Sequence, residues 1–449
     1  MKKTMDNRSS LNDAGQSRRR FVKNSALVSG GLVASQLPVA AAANVAGDDS
    51  IKIAVVGCGG RGTGAVRQAL STNANVKLVA MADAFQNRLD ESFKNISEKF
   101  GNSGKIDVPK EHQFVGFDAY KQAIDLADVV LLATPPGFRP QHFGYAVKNN
   151  KHVFMEKPVA TDAPGVRRVL KYAKIAKERK LNVVVGLQRH YQTNYRKVIE
   201  KIRSGAIGDI ISGQVYWNSG GVWVRAREEG ETEMQYQMKN WYYFNWLCGD
   251  HILEQHIHNI DVANWFIGDY PATAQGMGGR EVRKGKDHGQ IFDHHFVEFT
   301  YPTGAVISSQ CRHQPGTLSR VDEVFQGTKG TSFTSSGNKG ILKDYNGGTI
   351  YSHRGAEDPN PYQVEHDELF AAIKAGNVIN NAEYGAKSTL TAIMGRMATY
   401  SGQVITWQQA LNSETQLVPE ELSWDSEPPV KPDEDGNYPV PVPGQFKIY

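Results

Sequence analysis

The densest group of ionisable side chains lies between Asp250 and Asp261, in the segment Asp-His-Ile-Leu-Glu-Gln-His-Ile-His-Asn-Ile-Asp. The spacing of its apolar residues predicts one helix over about 250–267, with Glu254, His258 and Asp261 on a single face. Histidine titrates near neutral pH, so His258 is a candidate general base that Glu254 would orient. The plainer alternative is that the acidic side chains only cap the helix or form pairs inside the protein.

A metal site is a second use that this segment suggests. His251, Glu254 and His258 could meet on one side of the helix, but none of the strong zinc-binding spacings is present. We therefore expect no metal. The chain has three cysteines and no CxxC pair, so neither a disulfide framework nor a structural zinc site is expected.

A glycine-rich turn follows the first apolar run of the chain, Ile51–Val56. It reads Gly-Cys-Gly-Gly-Arg-Gly over residues 57–62 and precedes a predicted helix. Glycines at these places let the backbone turn tightly and approach a pyrophosphate at the helix N-terminus. A carboxylate that can bond ribose hydroxyls ends the next predicted strand. The pattern predicts a dinucleotide site formed by Gly57, Gly59, Gly60, Arg61, Gly62 and Asp83.

The acidic residue of this site also bears on which dinucleotide is bound. The Asp83 carboxylate would repel a 2′-phosphate, so NAD is expected in preference to NADP. Arg61 or Arg88 could reach such a phosphate, which leaves NADP as the less favoured alternative.

Further polar residues follow two later predicted strands. Thr134 and Pro135 end one strand, His142 follows, and the next strand runs into Glu156-Lys157-Pro158. Considered alone, Lys157 is equally well explained as a solvated lysine, because Lys before Pro is only a turn signal.

Together with the glycine-rich turn, this order of motifs resembles the glucose–fructose oxidoreductase, inositol dehydrogenase and rhizopine-catabolism (Gfo/Idh/MocA) family over about residues 50–410. The resemblance implies a Rossmann domain, a second domain with an open antiparallel sheet, and pyridine-nucleotide chemistry on sugars or polyols. It also implies that Lys157 contacts both substrate and cofactor. Cofactor contacts are expected as well from Thr134, Pro135, His142 and Glu156.

The resemblance extends to the 250–261 segment, where the family carries an Asp, a His four residues later and a second Asp after three more. His258 and Asp261 match this pattern, whereas Glu254 replaces the usual Asp. A secondary alcohol that loses hydride must also lose its hydroxyl proton. We expect His258 to accept that proton and Lys157 to stabilise the alkoxide, with Glu254 orienting one of the two.

Substrate contacts are expected from two further places. Arg189 and His190 follow another predicted strand, where the family places substrate-facing groups, and Asp261 is a third candidate. The stretch 216–246 holds four of the seven tryptophans, Trp241 among them. Sugar rings stack on aromatic faces, so this stretch is either a carbohydrate platform or, equally, a core or subunit interface.

The elements that must position these residues fall into two groups. Strands and helices alternate over 50–187, which predicts an α/β Rossmann domain with a doubly wound parallel sheet. Residues 188–410 are richer in strands, and they predict an α+β domain with an open, mainly antiparallel sheet whose last helices could pack back on the first domain. Residues 411–449 are expected to form a Pro-rich tail. The open sheet favours a homo-oligomer.

The basic charge of the chain is confined to its first residues. The formal net charge is +4, residues 1–23 contribute +5, and the remainder is therefore at −1. A near-neutral body lacks the basic face that a nucleic-acid partner requires, so no such partner is expected. With 40% hydrophobic residues, the composition also excludes a wholly disordered or low-complexity protein.

The first 43 residues predict an export signal. Ser-Arg-Arg-Arg-Phe-Val-Lys over 17–23 matches the twin-arginine pattern, and a weakly apolar stretch leads to four alanines ending at Ala43. We expect the twin-arginine machinery to be a partner, cleavage near Ala43 and a periplasmic location. The apolar stretch is too short and too rich in Gly and Ser for stable membrane insertion.

These features predict an exported, NAD-dependent oxidoreductase that acts on a secondary hydroxyl of a sugar or glycoside, C3 being one candidate position, with a tightly held cofactor. Two alternatives remain. An NAD-dependent glycosidase would oxidise, eliminate, add water and re-reduce, so that its net reaction is hydrolysis. A sugar-binding protein would keep the nucleotide only as structure.

Overall fold

A computed structural model describes residues 50–447. The predicted signal, residues 1–43, lies outside the described residues. None of the helices within 50–447 combines the length and the apolar content that crossing a bilayer requires.

The first half of the described chain forms a six-stranded parallel sheet in the order β3-β2-β1-β4-β5-β6. Short, β-branched apolar runs form these strands because helices cover both faces of the sheet. The strand order reverses between β1 and β4, which leaves a crevice at their carboxyl ends. The strands are β1 (Ile51–Val56), β2 (Val76–Asp83), β3 (Gln113–Val115), β4 (Val129–Leu132), β5 (His152–Met155) and β6 (Val183–Val185).

Five helices alternate with these strands, as the sequence predicted. The last of them begins at Asp162, whose side chain accepts a hydrogen bond from the Gly165 N–H at 2.8 Å and so caps the helix. The helices are α1 (Gly60–Leu70), α2 (Gln86–Phe100), α3 (Ala119–Asp125), α4 (Arg139–Lys148) and α5 (Ala163–Glu178).

The second half contains a nine-stranded open sheet in the order β14-β13-β12-β11-β7-β10-β9-β8-β15. Only β7 and β10 pair in parallel, and the other neighbours are antiparallel. The prediction of a Rossmann sheet followed by an open, mainly antiparallel sheet is therefore confirmed. The strands are β7 (Ile210–Ser219), β8 (Thr273–Gly279), β9 (His294–Thr300), β10 (Val306–His313), β11 (Arg320–Gly327), β12 (Gly330–Ser335), β13 (Lys339–Asp344), β14 (Thr349–Arg354) and β15 (Ile405–Thr406).

Eight further helices belong to this half or connect the two sheets. They are α6 (Thr193–Arg203), α7 (Glu233–Lys239), α8 (Asn245–Cys248), α9 (His251–Glu254), α10 (Ile257–Ile267), α11 (Pro361–Ala375), α12 (Ala382–Ser401) and α13 (Trp407–Asn412). The longest, α12, packs against β8, β9 and α5, and α11 packs against α1. The largest apolar cluster accordingly includes side chains from both sheets. The domain boundary near residue 187 stays a prediction.

The expected single helix over 250–267 is wrong, because the chain forms two helices, α9 and α10. The His256 N–H bonds the His251 carbonyl at 3.1 Å, and the His258 N–H turns to the Gln255 carbonyl at 3.4 Å. Glu254 is thus the last residue of α9, and its carbonyl is not used by His258 as it would be in a continuous helix.

Residues 413–447 form an extended tail that contains no helix or strand. Its first part is held where the Leu417 N–H donates to Asp162 at 2.8 Å. Farther along, Trp424 packs on Phe85 and Phe117, with ring centroids 5.0 and 4.7 Å apart. The tail therefore reaches side chains beside the end of β2.

Candidate functional site

The glycine-rich turn forms a cradle at the carboxyl end of β1. Gly57 has φ +97°, and a Cβ there would lie 2.6 Å from the Ala133 carbonyl carbon. A Cβ on Gly62 would lie 1.8 Å from the Gly57 oxygen, so only glycine lets α1 start this close to β1. Nothing lies within 4 Å of the Cβ positions of Gly59 and Gly60. The open space above the N-terminus of α1 suits a pyrophosphate.

Asp83 ends β2 beside this cradle. Its carboxylate accepts hydrogen bonds from the Cys58 N–H at 2.6 Å and the Phe85 N–H at 2.9 Å. Burial raises the pKa of Asp83, and these backbone donors oppose that rise. Its oxygens keep further lone pairs toward the cleft, so the side chain can accept bonds from ribose hydroxyls.

A cavity of about 700 Å³ extends from the cradle. Its inner wall holds the glycine-rich turn, Asp83, Thr134, Pro135 and His142. Most of the predicted cofactor residues thus lie on one surface, large enough for a dinucleotide. Glu156 and Lys157 are not part of this wall.

Arg139 positions Thr134, a residue of the inner wall, and was not predicted from the sequence. Arg139 is buried and donates to the Thr134 carbonyl at 2.6 Å and to the Leu132 carbonyl. Burial lowers its pKa to about 10. Nothing in the sequence indicates that this arginine is buried, because only the tertiary fold brings the end of β4 against it.

His142 lies next to Thr134 and is also buried. Its Nδ1 is 3.3 Å from the Thr134 hydroxyl, and its ring stacks on Tyr120 with centroids 4.1 Å apart. Burial lowers the pKa of His142 to about 3, and the Arg139 charge adds to this effect. The ring is therefore neutral at physiological pH.

Lys157 meets Glu254 where β5 ends against α9. The Lys157 ammonium donates to the Glu254 carbonyl at 2.6 Å and lies 3.2 and 3.3 Å from its two carboxylate oxygens. Burial raises the pKa of Glu254, whereas the Lys157 charge lowers it. The break between α9 and α10 supplies the carbonyl, since a continuous helix would use it internally.

Glu156, the residue before Lys157, forms an ion pair with Arg61 of the glycine-rich turn. The Arg61 guanidinium donates to one Glu156 oxygen at 2.9 and 2.5 Å and stacks on Tyr362 at 4.5 Å. Glu365 is buried nearby, and neither of its carboxylate oxygens has a hydrogen-bond partner among residues 50–447. Burial, and next the Glu156 charge, raise the pKa of Glu365 well above its usual range. Neither Tyr362 nor Glu365 was predicted from the sequence, since both lie about 300 residues after Arg61.

His258 is the second residue of α10 and is 5% exposed. Its Nδ1 has no hydrogen-bond partner among the described residues, and the ring stacks on Trp217 at 5.9 Å. Burial lowers the pKa of His258 well below the ordinary value, and the Lys157 charge is the next cause. The imidazole is held neutral beside an ammonium, which is the state required to accept a proton.

The predicted substrate residues Arg189, His190 and Asp261 have partners inside the protein. Arg189 forms a fully buried ion pair with Glu323. His190 bonds Asp261 at 2.7 Å, and its ring lies between Trp265 and Tyr384. These contacts tie β11, α10 and α12 to the chain after β6, and their role toward a substrate stays a prediction.

Trp241 lies on the outer wall of the dinucleotide cavity, together with Trp223. Their rings meet at 66° with centroids 5.8 Å apart. The aromatic stretch therefore borders the predicted cofactor cleft, and a sugar platform at Trp241 stays a prediction.

One group of side chains within 50–447 has spacing that could hold a metal ion: Asp250, His251 and His295. All three are buried, and Asp250 already accepts from the Tyr400 hydroxyl at 2.5 Å and the Phe292 N–H at 2.9 Å. The combination of His251, Glu254 and His258 considered from the sequence is not assembled, because His251 bonds Asp250 and Glu254 bonds Lys157.

The sequence model of the oxidoreductase family with an NAD-binding Rossmann fold, Gfo/Idh/MocA, matches residues 51–187, and that of the Gfo/Idh/MocA C-terminal domain matches 195–332. The chain belongs to the Gfo/Idh/MocA family. Among relatives, an inositol 2-dehydrogenase of Rhizobium meliloti is 24% identical over 265 residues, 59% of this chain and 69% of that protein. A glycosyl hydrolase family 109 protein of Shewanella pealeana is 26% identical over 215 residues, 44% of this chain and 45% of that protein. The match therefore spans about half the length of the second relative.

Solved structures of the Gfo/Idh/MocA family share the fold. The aldose-aldose oxidoreductase from Caulobacter crescentus aligns with a TM-score of 0.62 at 18% identity, covering 80% of this chain and 99% of that one. The family membership accounts for the two sheets and for the NAD-binding cradle.

Proposed function

We propose that this protein is an exported, NAD-dependent oxidoreductase that acts on a secondary hydroxyl, C3 being one candidate position, of a sugar or glycoside. The observation that carries the proposal is the contact of Lys157 with Glu254 after β5, in the sheet that also bears the dinucleotide cradle, with the neutral His258 near enough for the Lys157 charge to lower its pKa. Inositol and aldose oxidoreductases among the relatives support the substrate class.

The chain's own residues supply acid–base and electrostatic chemistry. NAD, when bound, supplies the hydride acceptor. His258 accepts the hydroxyl proton, because its ring is neutral and its Nδ1 is unpartnered. The Lys157 ammonium stabilises the developing alkoxide. Glu254 fixes that ammonium in place through its backbone carbonyl and its carboxylate. The buried surroundings strengthen both effects by excluding water.

Replacement of either proposed catalytic residue tests this assignment. We expect Lys157→Ala and His258→Ala each to lower kcat about a hundredfold or more, with dinucleotide binding retained. Lys343→Ala on β13, an exposed position away from the cleft, is the matched control. Near-normal turnover in a Lys157 or His258 variant would refute that residue's role.

A redox-neutral glycosidase is the second candidate, favoured by the match to a glycosyl hydrolase family 109 protein. Incubation of the purified protein with a panel of glycosides, followed by mass spectrometry, separates the candidates. A keto-sugar product supports net oxidation, a free sugar plus aglycone supports hydrolysis, and an unchanged glycoside that is bound supports a sugar-binding protein.

Export through the twin-arginine pathway is part of the proposal and rests on the Arg18-Arg19 pair. Replacement of both by Lys should leave uncleaved precursor in the cytoplasm, and normal appearance of mature protein outside the inner membrane would contradict it.

A periplasmic enzyme has little free NAD to draw on, so the cofactor must arrive with the folded protein and be reset in place. We expect near-stoichiometric dinucleotide in acid-quenched purified protein.

A further inference from the structure

We propose that the segment 222–241 of this chain forms the outer wall of the NAD site, with Trp223 covering the bound dinucleotide and Arg225 binding its phosphates, so that release is slow. The inference rests on the proposed NAD-dependent function. It assigns to the segment 222–241, which lies outside the Rossmann half, a role in holding the dinucleotide.

The first observation is the composition of the cavity. One wall is the Rossmann surface with the glycine-rich turn, and the other is made by side chains of the segment 222–241: Trp223, Arg225, Glu228, Glu231, Met238, Lys239 and Trp241. The second group belongs to the chain between β7 and α8, so two distant parts of the sequence enclose one space. A dinucleotide in that space would be enclosed between them.

The second observation is that the wall segment is fixed by specific hydrogen bonds. The Arg225 N–H donates to the buried Asn240 side chain at 3.0 Å, and Asn240 donates to the Asp287 carbonyl at 2.9 Å. The Tyr243 hydroxyl donates to the Trp223 carbonyl at 3.0 Å. The backbone at Trp223 and Arg225 is therefore held in position before any ligand arrives, which lowers the entropic cost of ordering this segment on binding.

The third observation is a difference between the two cations on this wall. Lys239 is neutralised by Glu231 at 2.5 Å and Glu228 at 3.0 Å. The Arg225 guanidinium has no carboxylate within ion-pair distance among residues 50–447 and only stacks on Trp223 at 5.2 Å. An unpaired guanidinium that lines the same cavity as the glycine-rich turn is suited to bind phosphate oxygens.

The fourth observation is the exposure of Trp223. Its side chain remains 39% exposed although the ring contacts Trp241 and Tyr242. A ligand in the cleft would bury the remaining apolar face, which adds to its binding free energy. The tail closes the neighbouring side, because Trp424 packs on the cavity residues Phe85 and Phe117.

The test measures how fast NAD leaves the purified protein. Wild type, Trp223→Ala and Arg225→Ala are loaded with NAD and freed of excess nucleotide by desalting. The dinucleotide left in acid-quenched samples is then followed over time. We expect at least tenfold faster loss from both variants, with partial recovery in Trp223→Phe and Arg225→Lys. Val224→Ala and Glu229→Gln are controls from the same segment whose side chains do not line the cavity.

The outcomes separate this inference from the proposed function. Release from both variants at the wild-type rate, with NAD bound in all of them, would overturn the inference and leave the oxidoreductase intact. Equal acceleration in the control variants would also overturn it, because a general loosening of the segment would then be the cause. A wild-type protein that binds neither NAD nor NADH would refute the proposed function itself.

Discussion

The Lys157–Glu254 contact joins a strand end of the Rossmann sheet to a helix that lies 97 residues later. Both side chains are largely buried, with 12% and 11% of their surfaces exposed. A buried ammonium requires its carboxylate partner to stay charged, since an unpaired buried charge lowers the stability of the folded protein. Glu254 is therefore a positioning residue for Lys157.

Glu254→Gln should lower kcat at least about tenfold, because the amide keeps the shape but leaves the ammonium uncompensated. Glu254→Asp retains the charge and should recover part of the activity. The measurement is kcat and KM together with dinucleotide content. A Gln variant with wild-type kcat would show that the Glu254 carbonyl alone is sufficient to position Lys157.

If His258 is the base, as proposed, its protonation sets the acid side of the pH profile of kcat. Burial lowers its pKa below the ordinary 6.5, and the charges of Lys157, Arg189 and Arg61 act in the same direction. A base with a lowered pKa stays neutral and active as the pH falls through 6.5. We expect kcat to hold between pH 8 and 6.5 and to fall only in more acidic buffer; an acid midpoint at or above 6.5 would contradict the role of His258.

At the scale of elements, the break between α9 and α10 leaves the Glu254 carbonyl free to accept a hydrogen bond from Lys157. Helix α9, which ends at this break, is preceded by a turn in which Gly249 and Asp250 both have φ +77°. Although burial raises the pKa of Asp250, His295 and His251 hold it well below its usual range. The resulting carboxylate accepts hydrogen bonds from His251, Phe292 and Tyr400. This carboxylate fixes the start of α9 and hence the position of Glu254.

Asp250→Asn places an amide donor against groups that themselves donate. We expect a loss of about 1–3 kcal/mol in the free energy of unfolding, the usual cost of a buried mismatched polar group, and a lower kcat. Asp209→Asn, at an exposed position, is the control. Equal unfolding midpoints in denaturant for the two variants would contradict this role of Asp250.

At the scale of the whole molecule, several buried histidines are held neutral. Burial lowers the pKa to about 3 in His142 and His366 and to about 4 in His251. The unfolded chain binds protons on these rings below 6.5 and the folded chain does not. Stability is therefore complete above pH 6.5 and is lost as the pH falls toward 4.

His366 offers a clean test of this effect, because neither ring nitrogen has a hydrogen-bond partner among residues 50–447 and its ring packs on Phe154 at 4.2 Å. His366→Phe should raise the free energy of unfolding at pH 5 by about 1–2 kcal/mol more than at pH 8. Denaturant titrations at the two pH values measure this difference. A change of the same size at both would mean that packing alone is responsible.

Local sequence was sufficient for much of the fold and for several residues that line the cavity beside the glycine-rich turn. The glycine-rich turn and Asp83 were found because tight turns and strand ends leave short-range patterns that require particular residues. Alternation of apolar runs likewise predicted the parallel sheet, and Glu156-Lys157-Pro158 carried the family resemblance. The predicted residues Gly57, Asp83, Thr134 and His142 accordingly lie on one wall of one cavity.

Tertiary structure decided the rest, because the decisive contacts join residues far apart in sequence. Periodicity predicted one helix over 250–267, and it gave no sign that the turn after Glu254 would open to bring a carbonyl to Lys157. No local pattern pairs Arg189 with Glu323 or places Arg225 on the same cavity as the glycine-rich turn. Sequence periodicity records which face of an element is apolar, whereas the partner of a buried charge depends on how the elements pack.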